Sequence, residues 1–193
     1  MTLLSEIYDV TLKRDIRGAA KSGFVRPTVG EHFMTHRDFI EINQKTFTGE
    51  YTENLCVNGI ATASSTYYEN KYLPALAFDN TELGFASGSN IFPQWIKYEL
   101  IEAKIIERYT LASYKSGGPE MMTSWELQGS NNNTDWVVLD TRSEETGWTW
   151  LSQTRIYDFA NTNAYKYYKW NILANTSGLL WIGEIEMMEG IYE

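Results

Sequence analysis

Downstream of Asn58-Gly59, apolar and polar positions alternate over short runs separated by turn-forming residues. That is the period-2 pattern of half-buried strands in a sandwich or barrel. The stretch Ser124 to Asp140, SWELQGSNNNTDWVVLD, shows it most clearly. Trp125, Leu127 and Gly129 fall on one face and Ser124, Glu126 and Gln128 on the other; SNNNTD then turns the chain, and Trp136 to Leu139 returns as the next strand. Tyr168, Trp170 and Ile172 alternate in the same way with Tyr167, Lys169 and Asn171. Ile185 and Met187 alternate with Glu184 and Glu186, so the two carboxylates share a face. The first 55 residues read differently. Leu3, Leu4, Ile7 and Val10 have helical spacing, with Thr2 or Ser5 as cap and Gly18 or Gly23 as stop, and Gly23 to Phe47 is irregular. The pattern predicts a docking arm over 1–55, a short helix plus an extended segment, and one β-rich domain over 56–193, with no internal repeat.

Composition narrows what such a domain does. The 193 residues suffice for one substantial core and an appendage, and 15% aromatic residues favour packed β-structure over disorder. A net charge of −9 gives no general attraction for phosphate backbones or anionic lipid, which argues against nucleic acid and membrane as partners. Cys56 is the single cysteine and closes no intrachain disulfide, so it reads as a buried, inert thiol. The N-terminus shows no cationic segment followed by a long apolar run, and the chain reads as soluble and made without Sec export. Catalytic signatures are missing too. His32 and His36 stand four apart in the arm without H-E-x-x-H, and there is no phosphate loop or nucleophile elbow. The chain reads as a non-enzyme.

Five landmarks come in a familiar order: AFDN at Ala77 to Asn80, QWIKYEL at Gln94 to Leu100, the WELQGSNNNTDWVVLD block, YKYYKW at Tyr165 to Trp170, and GEIEMM at Gly183 to Met188. Together, over about residues 57 to 190, they resemble the discoidin-like (coagulation factor five/eight type C) domain, whose bacterial members include family thirty-two carbohydrate-binding modules. The resemblance implies an all-β, antiparallel jelly-roll sandwich of galactose-binding-like type, with roughly eight strands and its ligand held by loops at one end. The quoted hairpin is then scaffold, with Trp125 and Trp136 as packing residues. Many extracellular animal members bracket the domain with a cysteine pair, and its absence here points to a bacterial or viral setting.

The resemblance also implies a calcium site. Carried over by position, its ligands are the carboxylates of Asp79 and Glu184, oxygens of Thr81 and Ser87, and the backbone carbonyls of Leu76 and Gly183, all oxygen donors as a hard cation requires. Asn80 replaces the usual glycine and tolerates the left-handed backbone expected there. The plainer alternative has Asp79 capping a turn and Glu184 as a solvated strand residue. For the sugar, the candidates are loop residues: Tyr67, Tyr68 and Tyr72 in STYYENKY, Asn90 after the calcium loop, Tyr114 and Lys115 in YKSGGPEMM, and Trp148 and Trp150 in ETGWTW. The tyrosines equally suit packing of a loop over the sandwich end. Trp148 and Trp150, two apart, equally suit core packing from one strand face. Met121 and Met122 resemble the apolar tip of membrane-inserting members, a role the acidic balance opposes.

The expectation is therefore a non-catalytic module for surface glycan, present in multiple copies on a phage virion (tail, baseplate or capsid) and anchored to other virion proteins through residues 1–55. The alternatives are a purely structural virion adaptor and a bacterial lectin or accessory module of a glycan-degrading enzyme, with an extracellular location.

Overall fold

A computed structural model describes residues 45–68, 71–81, 83–115, 120–149 and 153–193. The expected N-terminal helix, both histidines and Trp150 lie outside these residues.

The alternating runs are strands. In chain order they are β1 (Phe47–Tyr51), β2 (Ile60–Ala63), β3 (Phe85–Ala86), β4 (Gln94–Lys104), β5 (Arg108–Ala112), β6 (Met122–Ser130), β7 (Val137–Arg142), β8 (Thr154–Asp158), β9 (Tyr165–Asn175), β10 (Trp181–Ile182), β11 (Glu184–Met188) and β12 (Gly190–Tyr192). One five-stranded sheet has the order β2-β4-β9-β6-β7 and a three-stranded sheet the order β11-β5-β8, with every neighbouring pair antiparallel. These eight strands make the two layers of the sandwich. The remaining four form two short ribbons, β1-β12 and β3-β10. A 3-10 turn, Pro74–Ala77, is the one helical element among the described residues.

The core is where period-2 alternation sends every second side chain. Ile96, Tyr98 and Leu100 of β4, Trp125 and Leu127 of β6, and Tyr168, Trp170 and Ile172 of β9 are buried against Tyr109, Leu111, Tyr157, Ile185 and Met187 of the smaller sheet. The polar ends of these aromatics are mostly satisfied, as burial requires. Trp125 Nε1–H donates to Tyr109 Oη at 2.9 Å, and Tyr109 O–H donates to Asp140 Oδ2 at 2.8 Å. Cys56 is buried in the same core, and burial pushes its thiol well above the ordinary range.

The hairpin turn follows from its side chains. Ser130 Oγ accepts from the backbone N–H of Asn133 at 3.0 Å, and Asn132 Oδ1 accepts from those of Thr134 and Asp135 at 3.0 and 2.9 Å. Asn133 takes the left-handed conformation, φ 62°. Trp136 is half-buried outside the sandwich, with the Lys169 ammonium 3.9 Å above its ring. Met121 and Met122 do not form an exposed tip; both are fully buried in the core.

Residues 45–55 fall in the compact unit Lys45–Glu193, on the domain side of the boundary expected at residue 56. Backbone bonds join Thr46 and Glu193 reciprocally at 2.8 and 3.0 Å, Leu55 N–H donates to the Met187 carbonyl at 2.8 Å, and the Arg108 guanidinium lies 3.8 Å over the Tyr51 ring. Each such bond contributes about 1 kcal/mol net. A chain starting at Lys45 is therefore expected to melt as cooperatively as the full chain. One starting at Cys56 is expected to melt about 5–10 °C lower, since 1 kcal/mol corresponds to about 2–4 °C at this size. Thermal denaturation of the two truncations checks this, and equal melting temperatures would contradict it.

Candidate functional site

At one end of the sandwich, residues 64–68 and 71–72 lie against the β3-β10 ribbon. Tyr67 N–H donates to the Ala86 carbonyl at 2.9 Å, and Ala86 N–H to the Tyr72 carbonyl at 3.4 Å. This delivers Tyr67 and Tyr72 onto Trp181 of β10. The Tyr72 ring meets Trp181 edge-on at 4.8 Å, Tyr67 does so at 6.0 Å, and Tyr114 stacks on it at 4.9 Å. Tyr68, 61% exposed, packs on Tyr67 at 4.3 Å and sits at φ 52°, a conformation that costs a non-glycine residue about 1–2 kcal/mol. The Lys71 ammonium stands 4.9 Å over Tyr72. Trp181 is the hub of this half-exposed cluster. Its side faces outward because its neighbours Leu180 and Ile182 are both buried.

The carboxylates lie beside the aromatics. The turn Pro74–Ala77 leads into Asp79, whose Oδ1 accepts from Thr81 N–H at 3.0 Å, and Asn80 N–H donates to Glu184 Oε2 at 3.2 Å. Asn80 is left-handed, φ 56°. Glu184 Oε1 is buried with no hydrogen-bond partner among the described residues. Burial, with Asp79 and Glu186 beside it, pushes the Glu184 carboxyl up to about 7. Gly84 joins the two halves of the rim, since a Cβ there would lie 2.8 Å from the Tyr114 ring and 3.2 Å from Gly183 Cα.

A family model, the F5/8 type C domain, matches residues 60–182. The chain belongs to this family. Similar solved structures include the family 32 carbohydrate-binding module of NanJ from Clostridium perfringens in complex with galactose (TM-score 0.62, 18% identity, 72% of this chain and 100% of that one). Another is a family 32 module from Clostridium perfringens in complex with GalNAc-β-1,3-galactose (TM-score 0.61, 20% identity, 72% and 99%). A third is chitosan-binding module 1 from the chitosanase/glucanase of Paenibacillus sp. IK-5 (TM-score 0.59, 24% identity, 70% and 98%). At these identities the likeness is one of fold. No curated protein matches significantly.

Within this F5/8 type C domain the residues singled out from sequence separate into groups. Tyr67, Tyr68, Tyr72 and Tyr114 come together, and Lys115 is the exposed residue after Tyr114. Asn90 is exposed on the next loop, which is tied to the tyrosine loop by Gly88 N–H donating to Ser65 Oγ at 3.0 Å. Trp148 is not displayed: it is 4% exposed, its Nε1–H donates to the Met122 carbonyl at 3.1 Å, and the Arg155 guanidinium covers its ring at 4.0 Å. It is a core residue.

Among the metal candidates, Asp79, Thr81 and Glu184 lie on one rim. Gly183 sits between β10 and β11, where a Cβ would come within 2.6 Å of the Ser113 carbonyl oxygen, so close approach requires glycine there. Ser87 does not fit. It is buried, donates from Oγ to the Ser89 carbonyl at 2.8 Å and accepts from Leu180 N–H at 2.9 Å. Among the described residues no three acidic, histidine or cysteine side chains cluster as a metal site. Further donors beside the two carboxylates must therefore be backbone or hydroxyl oxygens, such as those of Leu76, Thr81 and Gly183. That set, with the orphaned Glu184 oxygen, fits a hard cation.

Sequence reasoning missed Trp181 and Lys71. The available signal for Trp181 was the triplet Leu180-Trp181-Ile182, in which one aromatic points away from two aliphatics.

Proposed function

We propose that this chain is a non-catalytic glycan-binding module whose ligand seats on the rim formed by Tyr67, Tyr68, Tyr72, Tyr114 and Trp181. The observation that carries this reading is the half-exposed aromatic cluster around Trp181, beside hydrogen-bonding loops. Aromatic faces cover the C–H side of a pyranose, while nearby polar groups meet its hydroxyls. Galactose and GalNAc-β-1,3-galactose in the similar modules support a galactose-type sugar as the first ligand to try. Tyr68 supports the reading as well, because a strained backbone holds its ring against Tyr67 while leaving it 61% exposed to solvent. A glycan array probed with the wild-type chain and a Trp181→Ala variant tests it. Absence of glycan binding by the wild type would favour a structural adaptor instead.

Calcium is part of the proposal. It would be held by Asp79 and Glu184 with nearby backbone oxygens, and would supply the electrostatic tie between the 79–84 loop and β11. Chelation is then expected to lower the melting temperature by several degrees, and excess calcium to restore it, because an ion that binds only the folded chain stabilises it. An Asp79→Asn variant is expected to lose that response. A melting curve indifferent to chelator and calcium would remove the ion from the account.

In the same proposal the N-terminal residues attach the module to a multi-copy assembly such as a phage virion, where avidity makes weak single-site binding effective. Co-sedimentation with particles, compared between the full chain and residues 45–193, tests that attachment.

A further inference from the structure

The solvent face of the five-stranded sheet carries a second constellation, away from the rim residues. The register places Lys97 of β4 directly opposite Lys169 of β9. Like charges opposite one another destabilise a sheet, and neither ammonium has a carboxylate within ion-pair distance among the described residues; Lys97 Nζ donates instead to the neutral amide oxygen of Asn133 at 2.6 Å. The two nearest acids are engaged elsewhere. Glu99 pairs with Lys166 at 2.9 Å and accepts from Tyr167 O–H at 3.3 Å, while Glu126 accepts from Gln128 and Asn171 at 2.7 and 3.3 Å. Burial lowers both lysines below the ordinary ammonium range, and each lysine is placed beside aromatic rings. Lys97 Nζ lies 5.5 Å from the Trp95 ring and 5.7 Å from that of Tyr167; Lys169 Nζ lies 3.9 Å from Trp136.

We propose that this sheet face is a second ligand site, for an acidic polysaccharide of the uronate class. Lys97 and Lys169 would meet its carboxylates, and Trp95, Tyr167 and Trp136 would cover its sugar rings. Charge complementarity selects this occupant. In a chain of net charge −9, two juxtaposed lysines without acidic partners are a local exception that an anion relieves. Trp95 and Tyr167 both flank Lys97, so a bound chain would place sugar faces on either side of a carboxylate. A polyuronate carries one charge per ring, whereas duplex nucleic acid carries one per about 1.7 Å, too dense for a protein of this overall charge. Gln128 and Asn171 extend the same face with amides suited to hydroxyls.

The site is independent of the rim, and the test separates them. Calorimetric titration of the full chain with polygalacturonate oligosaccharides is compared with that of a Lys97→Gln/Lys169→Gln double variant, of Trp95→Ala and of Trp181→Ala. Both lysines are half-buried on the solvent face of the sheet, and relief of their mutual repulsion offsets the lost Asn133 hydrogen bond and Trp136 contact, so the double variant is expected to stay folded with a melting temperature within a few degrees of the wild type. The expected result is at least a tenfold loss of uronate affinity and a flatter salt dependence in the double variant, a similar loss in Trp95→Ala, and full retention in Trp181→Ala. Uronate binding that survives in the double variant, that disappears with Trp181→Ala, or that is absent from the wild type would overturn the proposal. So would tighter binding of a single-stranded oligonucleotide than of the uronate.

Discussion

Trp181→Ala is expected to weaken glycan binding by about 100-fold while the domain stays folded. Three tyrosines rest on this one indole: Tyr114 stacked at 4.9 Å, with Tyr72 and Tyr67 edge-on at 4.8 and 6.0 Å. The substitution therefore removes its own contact surface and releases the rings it positions. Central aromatic residues of this kind cost about 2–4 kcal/mol of binding when truncated, and roughly 2.7 kcal/mol corresponds to the stated factor. The fold should survive because β10 pairs with β3 through backbone groups, with Trp181 opposite Ala86, and these do not depend on the indole. Tyr68→Ala is the control at the edge of the same cluster. Its ring is mostly exposed, so a smaller affinity loss is expected, with stability changed by about 0.5 kcal/mol or less. Equal glycan affinity in Trp181→Ala and the wild type, measured by titration calorimetry, would remove the aromatic rim as the binding site.

The largest effect on stability is expected from Trp125→Ala. Trp125 is 0% exposed, meets Tyr157 edge-on at 5.3 Å and hydrogen-bonds Tyr109. Emptying such a site costs about 3–5 kcal/mol, a large share of the 5–15 kcal/mol typical of a whole domain. Phenylalanine replacements separate packing from polarity. Trp125→Phe deletes the donor to Tyr109 Oη, whereas the Trp170 Nε1–H is buried without a partner among the described residues. Trp170→Phe is therefore expected to cost about 1 kcal/mol less than Trp125→Phe. Urea denaturation of the two variants measures the difference, and the reverse order would contradict this account of the core.

The fold was legible where the alternation was long. Trp125-Leu127-Gly129 and Tyr168-Trp170-Ile172 each repeat over three inward positions, and one face of each strand is buried as the pattern requires. The meeting of Asp79 and Glu184 was not readable from spacing, because nothing local links two acids so far apart in the chain. Resemblance to a family brought them together, and the Asn80 to Glu184 hydrogen bond shows the contact. Trp181 is not legible from the pattern because β10 has only two residues, too few to display a period. Trp148 was misleading for the opposite reason. Its surroundings, ETGWTW, read as an exposed loop, yet a hydrogen bond to Met122 holds the indole inside. The engagement of the Ser87 hydroxyl depends on a pairing with Leu180 that no sequence pattern announces.

The most direct measurement is a proton–nitrogen correlation spectrum that follows the seven tryptophan indole N–H signals during titration with a galactose-terminated glycan. The account predicts that the Trp181 signal shifts with ligand concentration while those of the buried Trp125, Trp148 and Trp170 stay in place. An unmoved Trp181 signal in a titration where other resonances saturate would put the sugar somewhere else on the molecule.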